Sequence, residues 1–103
     1  MTTYLNNPHA GIILQEEFLE PLGLSQNALA HAIGVPANRI NDIIHGRRGI
    51  TADTDLRLAR FLGLSEGYWL GLQNNYDMME TRRKIGTLIK GIKPFQNKEE
   101  VLA

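Results

Sequence analysis

The sequence contains no cysteine, which excludes disulfide bonds, thiolate metal sites and cysteine nucleophiles. Among its 103 residues there are only four prolines, and no apolar run approaches the length of a membrane span. The N-terminus also lacks the basic and then apolar pattern of a secretion signal. We therefore expect a soluble cytoplasmic protein with no membrane partner, long enough to bury one core without a metal or a crosslink.

The net charge is zero, because 11 Lys and Arg balance 11 Asp and Glu, so bulk charge gives no sign of a nucleic-acid partner. The charges are unevenly distributed, however. Residues 1–35 carry glutamates but no Lys or Arg, whereas three arginines lie between Arg39 and Arg48, opposed only by Asp42. A second basic cluster lies in segment 82–93. Such asymmetry permits a surface for polyanions without establishing one.

The residue types that enzymes use are not grouped in this sequence. Its three histidines are isolated, and none belongs to an H-E-x-x-H pattern. The glycines sit at predicted helix ends and form no phosphate-binding loop, and Ser25 has no evident base partner. We therefore predict no catalytic activity, no metal site and no cofactor.

Apolar residues recur at helical spacing throughout the chain, and the alternation typical of strands is rare. The sequence predicts an all-α fold with a single helix-turn-helix domain over residues 1–93 and a mobile tail over residues 94–103. The first helix is expected from about His9 to Glu20, ended by Pro21 and Gly23.

Two short helices joined by a tight turn form the most informative segment. Ser25 is the predicted N-cap of the first, and Gly34 ends it in a left-handed turn. The second runs from about Ala37 to His45, followed by Gly46 as its left-handed cap. The buried sides are expected to be Ala28, Leu29, Ala32 and Ile33 in the first helix and Ile40, Ile43 and Ile44 in the second.

Three further helical segments are predicted. Thr51 caps the first of them, whose inner stripe is expected to consist of Leu56, Ala59 and Leu62. Ser65 caps the next, which carries a heptad-like seam of Trp69, Leu72, Tyr76 and Met79. The last spans about Lys84 to Ile92, before Pro94.

The apolar seam has two possible roles. For Trp69 and Leu72 we expect closure of the monomer core. For the later positions a core role and a homodimer interface remain open alternatives. The dimer-interface candidates are Tyr76, Met79, Ile85 and Leu88.

Segment 24–50, with the sequence L-S-Q-N-A-L-A-H-A-I-G-V-P-A-N-R-I-N-D-I-I-H-G-R-R-G-I, resembles the helix-turn-helix of phage-repressor-like (XRE-type) regulators. The likeness includes the L-S-Q start, the small Ala30 at the helix crossing, the glycine of the turn and the I-x-x-I-I-x-G ending. It implies a five-helix phage-repressor-like domain with a C-terminal helical extension and the motif at 24–49. In such a motif the second helix lies in the major groove of double-stranded DNA.

The polar residues of this second helix lie away from its isoleucines. Asn38 and Asn41 are predicted to read bases, because an amide pairs bidentately with adenine. Arg39 reaches either a guanine or a phosphate, and Asp42 accepts from cytosine, orients Arg39 or faces away. Gln26 resembles the phosphate-binding position of the family. The predicted DNA-binding residues are Ser25, Gln26, Ala37, Asn38, Arg39, Asn41 and, for phosphates, Arg47 and Arg48.

Two flanking stretches narrow the family. N-P-H-A-G-I-I-L-Q-E-E-F-L-E-P-L-G-L-S and G-L-S-E-G-Y-W-L-G-L-Q-N-N-Y-D-M are similar to HigA-type (VapI-type) antitoxins, so the likeness spans about Asn7 to Glu80. The block W-L-x-L-Q-x-x-Y-D is its most specific part. The resemblance implies a homodimer that binds a palindromic operator, represses its own operon and blocks a HigB-type RNase toxin.

Two other functions fit the same residues. A free-standing XRE-type repressor would bind an operator without a toxin, and a pure protein-interaction domain would have lost DNA binding. The basic segment 82–93 contacts DNA flanks, an acidic partner surface or nothing.

Overall fold

In the computed structural model, residues 7–95 are described, and all regular structure in that range is helical. Helix α1 covers residues 10–22 and is continuous, with α-helical Ala10–Ile13, π-helical Leu14–Leu19 and α-helical Glu20–Leu22. The other helices are α2 (Gln26–Ile33), α3 (Ala37–Ile44), α4 (Ala52–Leu62) and α5 (Tyr68–Lys90). The predicted all-α, five-helix fold is confirmed. The predicted mobile tail lies outside the described residues from residue 96 onward.

Helix α1 does not end at Pro21, as the sequence suggested, but runs to Leu22 before Gly23 adopts a left-handed conformation. The reason is the π-helical stretch, in which the Glu20 N–H donates to the carbonyl of Gln15, five residues earlier. A proline ring normally clashes with the carbonyl four residues before it. The wider π turn relieves that clash and lets the helix continue through the proline.

The helix-turn-helix forms largely as predicted. The Ser25 hydroxyl accepts the Ala28 N–H at 3.0 Å, and Ala30 is buried where α2 meets α3. Ala28 and Ala32, expected in the core, are exposed. Leu29, Ala30 and Ile33 span an arc of about 100° around α2, and Ala28 and Ala32 fall outside that arc. In α3, Ile40 and Ile43 are buried, as expected, and Ile44 is half-buried.

The inner stripe of α4 differs from the predicted one. Thr51 caps the helix as expected, and Ala59 is buried, but Leu56 is 48% exposed and Leu58 is completely buried. The phase of the stripe is set by Asp55, which is only 1% exposed and turns inward. Positions 55, 58, 59 and 62 then follow the i, i+3, i+4, i+7 spacing of one helical face.

The carboxylate of Asp55, and not Ser65, caps helix α5. Its Oδ2 accepts the Gly67 N–H at 2.6 Å, and its Oδ1 accepts the N–H groups of Trp69 and Leu70 at 2.7 and 3.0 Å. The first turn of α5 is packed against α4, so its N–H groups need an acceptor inside the protein. A negative charge there also complements the helix dipole. The predicted Ser65 cap is therefore wrong.

The two C-terminal helical segments of the prediction are one helix of 23 residues. No proline interrupts residues 68–90, and the helix passes through Gly86 without a break. Its first part supplies Trp69, completely buried, and the half-buried Leu72, so the predicted core role of both is confirmed. The remainder extends from the body and gives the molecule dimensions of 62 × 27 × 25 Å.

Substitution of Asp55 tests the cap. We expect Asp55→Ala to lower the free energy of unfolding by about 3 kcal/mol, because buried N–H groups lose a charged acceptor. Glu66→Ala, an exposed acid beside the same helix start, is the matched control and should change it by less than about 0.5 kcal/mol. Urea titration followed by circular dichroism measures both. Equal stabilities for the two variants would contradict the assignment.

Candidate nucleic-acid interface

The exposed side of α3 carries polar residues, and its other side carries the buried isoleucines. Ala37 and Asn38 are exposed at the start of the helix. Within the described part of the chain, the Asn38 side chain has no hydrogen-bonding partner, so its amide is free to meet a ligand. Asn41 lies one turn further along the same helix and is half-buried.

Asn41 is the centre of a polar network that joins α2, α3 and the turn after α3. Its Nδ2 donates to Gln26 Oε1 at 3.1 Å, and its Oδ1 accepts from Arg47 Nη2 at 2.7 Å. Arg47 Nε also donates to Asp42 Oδ1 at 3.1 Å. The structure thus brings together three predicted DNA-binding residues, Gln26, Asn41 and Arg47, and adds Asp42 to them.

The turn after α3 folds the chain back over the helix. Gly46 adopts a φ of 73°, which a residue with a side chain rarely tolerates, as predicted for the left-handed cap. The N–H groups of Arg47 and Arg48 then both donate to the carbonyl of Asp42, at 2.8 and 3.2 Å. The Arg48 side chain is exposed and forms no ion pair with any described residue.

Arg39 faces a different direction from the other predicted contact residues. Its Nη1 donates to Asp53 Oδ1 on α4 at 2.8 Å, and its side chain is only 26% exposed. Of the three alternatives left open for Asp42, a local pair with Arg39 does not form, because Asp42 pairs with Arg47 and Arg39 with Asp53. Hydrogen bonds from Arg39 and then Arg57 lower the pKa of the Asp53 carboxyl. This placement favours a structural role for Arg39 in holding α3 against α4.

Arg57, which the sequence interpretation missed, ties the motif to α4. Its Nε donates to Asp53 at 2.8 Å, and its Nη1 donates to the Ile33 carbonyl at the end of α2 at 2.7 Å. Asp53 therefore accepts from both Arg39 and Arg57. One carboxylate links α2, α3 and α4 through two arginines. An i, i+4 pair between Asp53 and Arg57 was the only available signal in the sequence.

Gly11, also missed, sets the distance between α1 and the end of α3. A Cβ at this position would lie 1.8 Å from the Ile43 carbonyl oxygen and 2.8 Å from Ile44 Cα. The contacting atoms are backbone, so they cannot move aside as a flexible side chain would. A glycine inside a helical pattern was the one hint of such a close approach.

Helix α5 supports the turn after α3 from the other side. Gln73 Oε1 accepts the Ile50 N–H at 3.0 Å. The His9 ring packs edge-on against Tyr76 at 6.0 Å and lies against Gly46, while its Nδ1 accepts the Gly11 N–H at 3.1 Å. Burial lowers the pKa of His9, which favours the neutral ring that this acceptor role requires.

The dimer-interface candidates occupy different surroundings. Tyr76 is half-buried against His9, so part of its ring belongs to the monomer. Met79, Ile85 and Leu88 are 42%, 37% and 71% exposed on the protruding half of α5. The basic side chains of segment 82–93 lie on the same half and just beyond it, far along the chain from the α3 surface.

None of the helices in residues 7–95 is both long and apolar enough to cross a membrane. In the same range, no group of three or more His, Asp or Glu side chains is placed to hold a metal ion.

Comparison with known proteins gives consistent matches. Residues 16–69 match the helix-turn-helix family model. The chain is 53% identical to virulence-associated protein I of Dichelobacter nodosus, over 68% of this chain and 65% of that protein. It is 38% identical to antitoxin HigA-1 of Vibrio cholerae, over 82% and 80% of the two chains. The structure of Pseudomonas aeruginosa antitoxin HigA with higBA promoter superposes with a TM-score of 0.83 at 37% identity, covering 88% and 100%.

The Gly11 contact can be tested with two glycines. We expect Gly11→Ala to lower the free energy of unfolding by about 1–3 kcal/mol, because the added methyl group forces α1 away from α3. Gly71→Ala is the matched control, since a Cβ there meets open space and alanine favours the helix by up to about 1 kcal/mol. Chemical denaturation measures both. A stabilised Gly11→Ala variant would show that the close approach does not exist.

Proposed function

Because the chain belongs to the HigA-type family of helix-turn-helix antitoxins, we propose that it binds the operator of its own operon as a homodimer and neutralises a HigB-type RNase toxin. Operator binding places its action in the cytoplasm. This activity requires no catalytic residue, cofactor or metal in the chain.

The observation that carries the proposal is the exposed surface of α3 and the following turn. Asn38 is free to pair with a base edge, and Asn41, Gln26 and Arg47 form a connected polar group beside it. Arg48 is free to neutralise a phosphate. Ser25 and Gln26 lie at the start of α2, where backbone N–H groups favour an anionic oxygen.

A homodimer would explain the apolar side chains on the protruding half of α5. In this seam Met78 takes the place of the predicted Met79: it lies seven residues before Ile85, and Leu88 follows three residues after Ile85, which is the spacing of a coiled coil. All three are exposed in the single chain. Pairing of two α5 helices would cover them and place two α3 helices on one duplex. Half-sites about 34–36 Å apart would then match a palindromic operator.

Footprinting on DNA upstream of the gene tests operator binding. We expect protection of an inverted repeat, with affinity that falls steeply as salt rises because several phosphates are neutralised. Asn38→Ala should weaken binding to the repeat by about 5-fold or more. Leu88→Asp should give a monomer in sedimentation and lose paired half-site protection. Uniform protection of all sequences would contradict the proposal.

Co-expression tests the toxin half of the proposal, because an operator-binding repressor without a toxin would give the same footprint. We expect a small basic RNase encoded beside this gene to co-purify with the chain and to lose its RNA cleavage in the complex. Asn38→Ala should leave this capture unchanged and serves as the control. If the neighbouring protein does not co-purify, the chain is a free-standing repressor.

A further inference from the structure

Arg47 is the only proposed DNA contact in the described residues whose guanidinium is fixed by two side chains of α3. We propose that Arg47 reads a guanine base in each half-site, and that Asp42 and Asn41 are the positioning residues that orient it. The inference rests on the proposed DNA binding and identifies a residue that gives that binding its sequence preference.

The hydrogen bonds of Arg47 leave one edge of its guanidinium free. Nε donates to Asp42 Oδ1 at 3.1 Å, and one hydrogen of Nη2 is directed to Asn41 Oδ1 at 2.7 Å. A guanidinium has five N–H donors, so both hydrogens of Nη1 and one of Nη2 remain. One hydrogen of Nη1 and one of Nη2 project in parallel from the end of the group, the other Nη1 hydrogen points back towards Cδ, and the side chain is 57% exposed. Two parallel donors match the O6 and N7 acceptors that guanine presents in the major groove.

The position of Arg47 agrees with this role. Because Gly46 reverses the chain, the guanidinium lies beside Asn41 and Asp42 of α3, the recognition helix, and not beyond the C-terminal end of that helix. Asn41 is itself held by Gln26 of α2, so both motif helices determine where the free edge points.

The carboxylate of Asp42 gives a second reason. An acid on a DNA-facing helix repels phosphates, and a simple phosphate contact by Arg47 would gain nothing from it. Bidentate pairing with a base does benefit from the Asp42 carboxylate, because the carboxylate fixes the planar guanidinium and its orientation decides whether both hydrogen bonds form. The neighbouring Arg48 has no ion pair among the described residues, which suits a contact to a phosphate of the DNA backbone.

The test uses the full-length chain and the inverted repeat that the wild type protects. Each guanine of a half-site is replaced in turn by 7-deazaguanine, which lacks the N7 acceptor but retains base pairing. We expect one guanine at which the wild type loses about 5-fold or more in affinity, and at which Arg47→Ala loses nothing further. Arg48→Ala is the matched control. It should retain the wild-type loss at that guanine, while its salt slope falls by about one.

Substitution of Asp42 should change the affinity for the repeat in the direction opposite to the one that loss of a negative charge alone would give. Asp42→Ala removes a negative charge, so its affinity for random DNA should rise, yet its affinity for the repeat should fall by about 5-fold or more. Asp42→Asn retains an oxygen that accepts the Arg47 Nε–H and should recover part of the preference. Unfolding midpoints measured alongside show that each variant is folded.

Two outcomes overturn the inference. In one, Arg47→Ala remains fully sensitive to 7-deazaguanine, and only its salt slope falls, as for a phosphate contact. In the other, Asp42→Ala binds the repeat and random DNA more tightly by the same factor. Failure of the wild type to prefer any repeat would instead reject the proposed function, and this inference with it.

Discussion

The buried carboxylate of Asp55 is the interaction on which the rest of the arrangement depends. It accepts three backbone N–H groups at the start of α5 and so fixes where that helix begins and which way it runs. Trp69 then enters the core, where its ring centroid lies 5.1 Å from that of Phe18 on α1. Four residues later Gln73 reaches the loop after α3, and Tyr76 reaches His9. A shift in the start of α5 would therefore move Gln73 and Tyr76, which support the loop after α3.

Contacts with the neighbouring helices hold α3 in place, and only its polar side is left exposed. Gly11 brings α1 into backbone contact with its end, Asp53 holds Arg39 to α4, and Arg57 anchors the end of α2. Recognition of a DNA sequence requires such rigid support, because contacts to bases discriminate poorly when the side chains that make them can shift. The same α5 that supports this surface also carries the exposed apolar residues of the proposed dimer. The spacing of two recognition helices would thus be set by one rigid element.

The features that could be predicted from the sequence are those that depend on residues close together in the chain. Caps at Ser25 and Thr51, left-handed glycines and the polar side of α3 all follow from local rules, and the structure confirms them. The missed features join residues far apart: Asp55 and Gly67 are 12 apart, and Arg57 and Ile33 are 24 apart. Ser65 satisfied the local rule for a cap, but a buried carboxylate from another helix replaced it. No local pattern encodes that competition, and none encoded how Asn41, Asp42 and Arg47 share their hydrogen bonds.

Amide chemical shifts recorded while the chain is titrated with the operator duplex show directly whether DNA lies on α3 and the following turn. We expect the largest changes at Gln26 and residues 37–48, and little change in residues 78–90 of α5 beyond slower tumbling. Changes concentrated in the basic segment 82–93, with α3 unaffected, would show that DNA binds elsewhere on the protein.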